Sequence, residues 1–153
     1  MNNQLTKLKS VKREEGFTII EVLIVLAIGA LIILAVLLAV PALQQNQKNS
    51  QRKSEAARVA TGVTNYVADG GSTAAANFST ANTDVKGRSL TDKDILKTVS
   101  FQAANTTLTA TGTTVNVYIG TACSGTASGT AANGSYAVVY ALDNGGTACI
   151  TTK

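Results

Sequence analysis

Gly16-Phe17-Thr18-Ile19-Ile20-Glu21, followed by Val22 through Val40 without another charge, sets the architecture of this chain. One carboxylate, Glu21, sits in an otherwise unbroken apolar run, and a glycine stands just ahead of it. A charged side chain at mid-membrane costs roughly 2.5–3.5 kcal/mol on insertion scales. A chain that keeps such a charge at one chosen place uses it. Residues 17–40 would form about 36 Å of helix, enough to cross a hydrocarbon core of roughly 30 Å.

On the N-terminal side lie Lys7, Lys9, Lys12 and Arg13, with Glu14 and Glu15 next to the glycine. The positive-inside rule places this flank in the cytoplasm and the C-terminal part outside. A secretory signal has a shorter apolar region, about 7–15 residues, with its cleavage site after it. Here the cleavage candidate precedes the apolar run, so the anchor survives processing.

On the C-terminal side, Pro41 ends the fully apolar stretch while the helix continues past it. Leu43 to Glu55 is polar on all faces, which predicts a segment solvated or buried only by assembly. Ala56, Val59, Ala60, Val63 and Val67 then recur at helical spacing and predict a packing face, ended near residue 68 by Asp69-Gly70-Gly71. Residues 70–89 are rich in Ala, Ser, Thr, Asn and Gly and predict a long surface loop. Thr91, with Asp94 three residues on, predicts the capped start of a short helix reaching about Thr98.

Strand patterns follow. Val115, Val117 and Ile119 share one face, with Asn116 and Tyr118 on the other. Ser124 to Ser135 is small and predicts a flexible loop, and Tyr136–Leu142 a mainly apolar strand. Asp143-Asn144-Gly145-Gly146 is a strong turn signal before Thr147–Thr152. The class expected is α+β: one long N-terminal helix, half membrane and half amphipathic, packed on a small antiparallel sheet.

Large apolar side chains make up only 18 of the 85 residues from 69 onward. So thin a core needs a staple. Cys123 and Cys149 are the only cysteines, and a disulfide between them would contribute roughly 3.5 kcal/mol. The alternative is two unpaired buried thiols. A disulfide agrees with an exported, oxidising location.

Composition also removes function classes. There is no histidine, no glycine-rich phosphate loop and no cysteine with a base beside it, so an enzyme is not indicated and no cofactor is implied. Asp84, Asp92 and Asp94 lack the spacing of a calcium loop, and no metal is expected. Three glycosylation triplets, starting at Asn77, Asn105 and Asn133, arise easily in a chain this rich in Ser and Thr. The net charge of +4 is shared between the leader and the remainder, which leaves a nucleic-acid partner open rather than indicated.

Gly16, Phe17, Thr18, Glu21, the basic leader and the apolar run together resemble the N-terminus of type IV pilins and the related pseudopilins of type II secretion. The specific resemblance covers residues 12–41; the rest matches in plan only. It implies a leader over residues 1–16, a transmembrane and filament-core helix over 17–41, and an extracellular head over 42–153. It implies cleavage after Gly16 by a membrane prepilin peptidase, N-methylation of Phe17, and pairing of Glu21 with the Phe17 amine of a neighbouring subunit. Gly29 and Pro41 correspond to a region that loses helicity in assembled filaments. The family commonly carries a basic residue where Glu15 stands, and a proline where Leu38 stands.

The partners so implied are the chain itself as a helical homopolymer, the peptidase, the pilus assembly machinery and, before assembly, the membrane. Such filaments serve adhesion, twitching motility or DNA uptake, among which the sequence does not choose. A monomeric signal-anchored surface domain is the reading from a different class, and it requires neither cleavage nor methylation at Phe17.

Overall fold

The computed structural model describes residues 16–153, so the basic leader residues lie outside the described part. The chain divides into two compact units at Val40 and Pro41. Helix α1, Ile19–Ala68, contributes to both and runs without interruption through Gly29 and Pro41. Pro41 has no N–H, so the Leu37 carbonyl four residues back loses its usual donor. After α1 come a 3₁₀ turn at Ala75–Asn77, helix α2 at Phe78–Ser89, and strands β1 (Thr98–Gln102), β2 (Thr114–Cys123), β3 (Gly129–Ala141) and β4 (Thr147–Thr152).

The class expected from sequence holds, with one difference in the sheet. Its order is β1-β2-β3-β4, and β1 pairs with β2 in parallel while the other two pairs are antiparallel. The sheet is therefore mixed rather than antiparallel throughout. The cause lies in residues 103–113, where Leu108 and Ala110 are buried against Tyr118, Ala137 and Val139. That return passage lets Thr114 re-enter opposite Thr98 in the same direction.

Within the second unit the main core joins helix and sheet. Ala56, Val59, Ala60, Val63 and Tyr66 of α1 meet Ala81 and Val85 of α2, with Val99, Phe101, Val115, Val117, Val138 and Tyr140 from the strands. The face expected from helical spacing is thus the face that packs. The stretch expected as a loop at 70–89 is mostly helical, because Ala81 and Val85 find a core that composition alone does not reveal. β3 begins at Gly129, so the expected loop at 124–135 shrinks to residues 124–128. The register slips between Ile119 and Thr121, which absorbs the extra residues of β3.

The short helix expected from Thr91 does not form; these residues make a turn. The capping bonds form without it. Asp94 Oδ2 accepts the Thr91 N–H at 2.6 Å and its hydroxyl at 3.1 Å, while Oδ1 accepts from Arg58 Nη2 at 2.6 Å. The Thr91 N–H first, and Arg58 second, hold the Asp94 carboxyl below its ordinary range. A depressed folded value stabilises the fold above the unfolded value and is lost on acidification. Wild type should therefore melt above Asp94→Asn at neutral pH, with the gap closing as pH falls below about 3.9. Thermal unfolding followed by circular dichroism checks this; a gap that widens in acid contradicts it.

The segment expected to be solvated is the largest correction. Arg52 and Glu55 are buried in the head, Glu55 to 2 % exposure. Glu55 accepts N–H bonds from Ile95 (3.0 Å) and Leu96 (2.8 Å) and from the Gln51 amide (2.9 Å). Arg52 Nη1 donates to the carbonyls of Gly112 (2.9 Å) and Ala141 (3.0 Å), and its Nη2 lies 3.5 Å from Asp143. Asn49 Oδ1 accepts the Asp143 N–H at 2.7 Å. The polar turns of α1 thus pin the loops before β1, before β2 and after β3. Glu55→Ala would orphan two backbone N–H groups, and urea unfolding should show a loss of about 2–4 kcal/mol. A loss below about 0.5 kcal/mol would contradict the role assigned to Glu55.

Cys123 and Cys149 form a disulfide with Cα atoms 5.9 Å apart. It ties the end of β2 to β4 beside the second apolar cluster. Cys149→Ser should lower head stability by roughly 2–5 kcal/mol in denaturant unfolding. Free thiols at both positions in exported protein would rule the bridge out.

Candidate functional site

Helix α1 begins where a threonine can cap it. Thr18 lies outside the helix, and its Oγ1 accepts the Glu21 N–H at 3.3 Å. Its carbonyl accepts the N–H groups of Glu21 (3.1 Å) and Val22 (3.3 Å). Thr18-x-x-Glu21 is the spacing of a capping box, a signal present in the sequence beside the apolar run. It fixes the helix start at Ile19 and leaves Gly16 and Phe17 outside regular structure. A Cβ built at Gly16 meets nothing within 4 Å, so no packing in the described chain demands glycine there.

Glu21 occupies the first turn of α1, where the helix dipole favours a carboxylate. Phe17, Glu21, Val22, Val25 and Leu26 line one shallow groove on this segment. Phe17 itself is 83 % exposed. The carboxylate is thus held beside the residue that cleavage after Gly16 would make N-terminal.

Exposure concentrates on this segment. Among the described residues, every exposed large apolar side chain lies between Phe17 and Leu43. One 18-residue window of α1 reaches a mean hydropathy of 3.3 and has none of its residues buried. Such a surface needs a lipid or protein environment.

Residues 11–37 match the prokaryotic N-terminal methylation motif. That motif is the signature of type IV pilins and pseudopilins. Residues 11–37 of this chain carry that signature. No curated protein and no solved structure matched the chain. The matched segment includes Gly16, Phe17, Glu21 and Gly29, while Pro41 and both cysteines lie beyond it. Its apolar helix fits anchoring in a membrane before assembly.

The aspartates weighed as a calcium loop do not converge. Asp84 and Asp69 both hold Arg88, at 2.8 and 2.6 Å, and Asp94 is engaged by Arg58. Among the described residues no group of three metal-ligating side chains occurs.

Proposed function

We propose that the chain is the structural subunit of a type IV pilus, made as a prepilin. Residues 1–16 are the leader, removed after Gly16 by the prepilin peptidase, and the new Phe17 amine is methylated. Residues 17–41 hold the subunit in the membrane, N-terminus in the cytoplasm, and later pack with the same segments of other copies. Residues 42–153 are the head, carried to the cell surface with the filament. Gly29 and Pro41 are where the helix yields during assembly.

The observation that carries this reading is the confinement of exposed apolar side chains to Phe17–Leu43, with Glu21 as the one charge among them. Lipid and a bundle of like helices satisfy that surface equally, so a subunit can exchange one for the other. A pairing of Glu21 with a neighbour's amine offsets the cost of taking the carboxylate into that bundle. Contacts that do not close on themselves then generate a filament. The role is structural rather than catalytic.

A pseudopilin of type II secretion shares this N-terminus. The pilus reading is supported over it by the disulfide-tied head and by aspartates spent on arginine pairs. Shearing cells tests the proposal: the released filaments should contain this chain as their repeating protein. A chain that stays a full-length membrane monomer would instead support an anchored surface domain.

A further inference from the structure

Two asparagines in this chain precede glycine: Asn133 before Gly134, and Asn144 before Gly145. Such a pair is open to self-modification, because glycine puts no side chain in the way of its own amide nitrogen. The two sites share their surroundings. Both asparagines are exposed, and both glycines hold a positive φ, 72° and 83°. A Cβ built at either glycine meets nothing within 4 Å. Their bonding separates them. Asn144 sits in the β3–β4 turn, where its Oδ1 accepts the Gly146 N–H at 3.2 Å and the Gly145 N–H donates to the Leu142 carbonyl at 3.2 Å. The Leu142 N–H closes the same turn on the Gly146 carbonyl at 2.7 Å. Asn133 sits where β3 bulges. Ala132, Asn133, Gly134 and Ser135 stand between the paired residues Ala131 and Tyr136, against Gly120 alone on β2. Pairing with β4 starts at Tyr136, so neither neighbouring strand sets a residue opposite Asn133 or Gly134. The side chains of Asn49, Asn82 and Asn144 each accept a backbone N–H, whereas among the described residues that of Asn133 makes no hydrogen bond.

We propose that Asn133 is a site of spontaneous deamidation in the folded head, and that the turn protects Asn144 from the same reaction. The Gly134 nitrogen attacks Asn133 Cγ. A C–N bond forms as Cγ–Nδ2 breaks, and the side-chain amide leaves as ammonia with the Gly134 proton. Water then opens the succinimide at either carbonyl, leaving an aspartyl or an isoaspartyl residue. Water is the sole co-reactant. The isoaspartyl product adds one carbon to the main chain. In the bulge that carbon breaks no strand register, whereas the β3–β4 turn would lose the bonds that close it. Each reacted copy exchanges a neutral amide for a carboxylate that is ionised at neutral pH. The exposed bulge therefore grows more acidic with age while the head stays folded.

Timed incubation of the detergent-solubilised full chain in warm, mildly alkaline buffer tests this. The readout is peptide mapping by mass spectrometry that separates aspartyl from isoaspartyl products. Asn133 should convert about tenfold faster than Asn144, which must first give up two turn hydrogen bonds. In urea with the disulfide reduced the turn is gone, and the two rates should converge. Asn133→Gln keeps an amide on a longer arm. It should remove the fast acidic shift seen on isoelectric focusing and leave the melting temperature unchanged. Equal rates in the folded chain, or faster loss at Asn144, would overturn the proposal. So would a gap that survives unfolding, since local sequence rather than the fold would then set it. An acidic shift that persists undiminished in Asn133→Gln would place the reaction elsewhere and overturn it too.

Discussion

Glu21→Gln is expected to leave membrane insertion and cleavage intact while lowering filament yield roughly a hundredfold or more. Glutamine keeps the shape of the side chain and removes its charge, so insertion should persist or improve. The Thr18 cap uses the backbone N–H of residue 21, so the helix start is also preserved. Cleavage should continue, because Gly16 is untouched. What changes is the bundle: the Phe17 amine of one subunit would enter it without its carboxylate. Removing one partner of a buried ion pair typically costs about 3–5 kcal/mol, and each 1.4 kcal/mol is a factor of ten. Cleaved membrane subunit and sheared filament, quantified in the same cells, give the answer. Wild-type yield of Glu21→Gln filaments would remove Glu21 from the assembly mechanism.

Gly16→Leu should act one step earlier. The described chain has empty space where a side chain at 16 would begin, so this substitution leaves the fold of residues 17–153 alone. Its effect should fall on the peptidase, which needs a pliable and unshielded backbone at the cut. The processed fraction should drop by roughly a hundredfold, the consequence of losing about 2.7 kcal/mol of transition-state fit. Full-length precursor should accumulate in the membrane with its disulfide formed. Normal amounts of mature protein from Gly16→Leu would show that cleavage does not depend on this residue.

The parts of the architecture legible in sequence are those where one local signal dominates. An uninterrupted apolar run specifies the front of α1, and the spacing of Ala56, Val59, Ala60 and Val63 specifies its packing face. The Asp143–Gly146 turn and β4 were equally plain, since Gly145 supplies the positive φ of 83° that the turn requires. What composition misrepresented was decided by distant partners. Residues 70–89 look like loop because small polar residues dominate, yet Ala81 and Val85 suffice to dock a helix on a core built elsewhere. Arg52 and Glu55 look solvated because their partners are backbone groups of loops 40 to 89 positions away, which no pattern in α1 announces.

The parallel pairing of β1 with β2 was hidden for the same reason. It depends on how residues 103–113 cross the sheet, and that path is set by Leu108 finding Tyr118 and Val139. At the candidate site Gly16, Phe17 and Glu21 could be singled out as candidates from their order in the chain, and the roles proposed for them rest on that order. The Thr18 cap was also written there, in the three-residue spacing to Glu21, and it explains why the segment before Ile19 stays free of the helix.

Intact-mass and N-terminal analysis of surface-sheared material tests the central claim most directly, because it reads processing and filament membership together. The account predicts a subunit comprising residues 17–153, beginning at Phe17 with one methyl group on its amine and with Cys123 joined to Cys149. Assembled filaments whose subunits still begin at Met1 would contradict it.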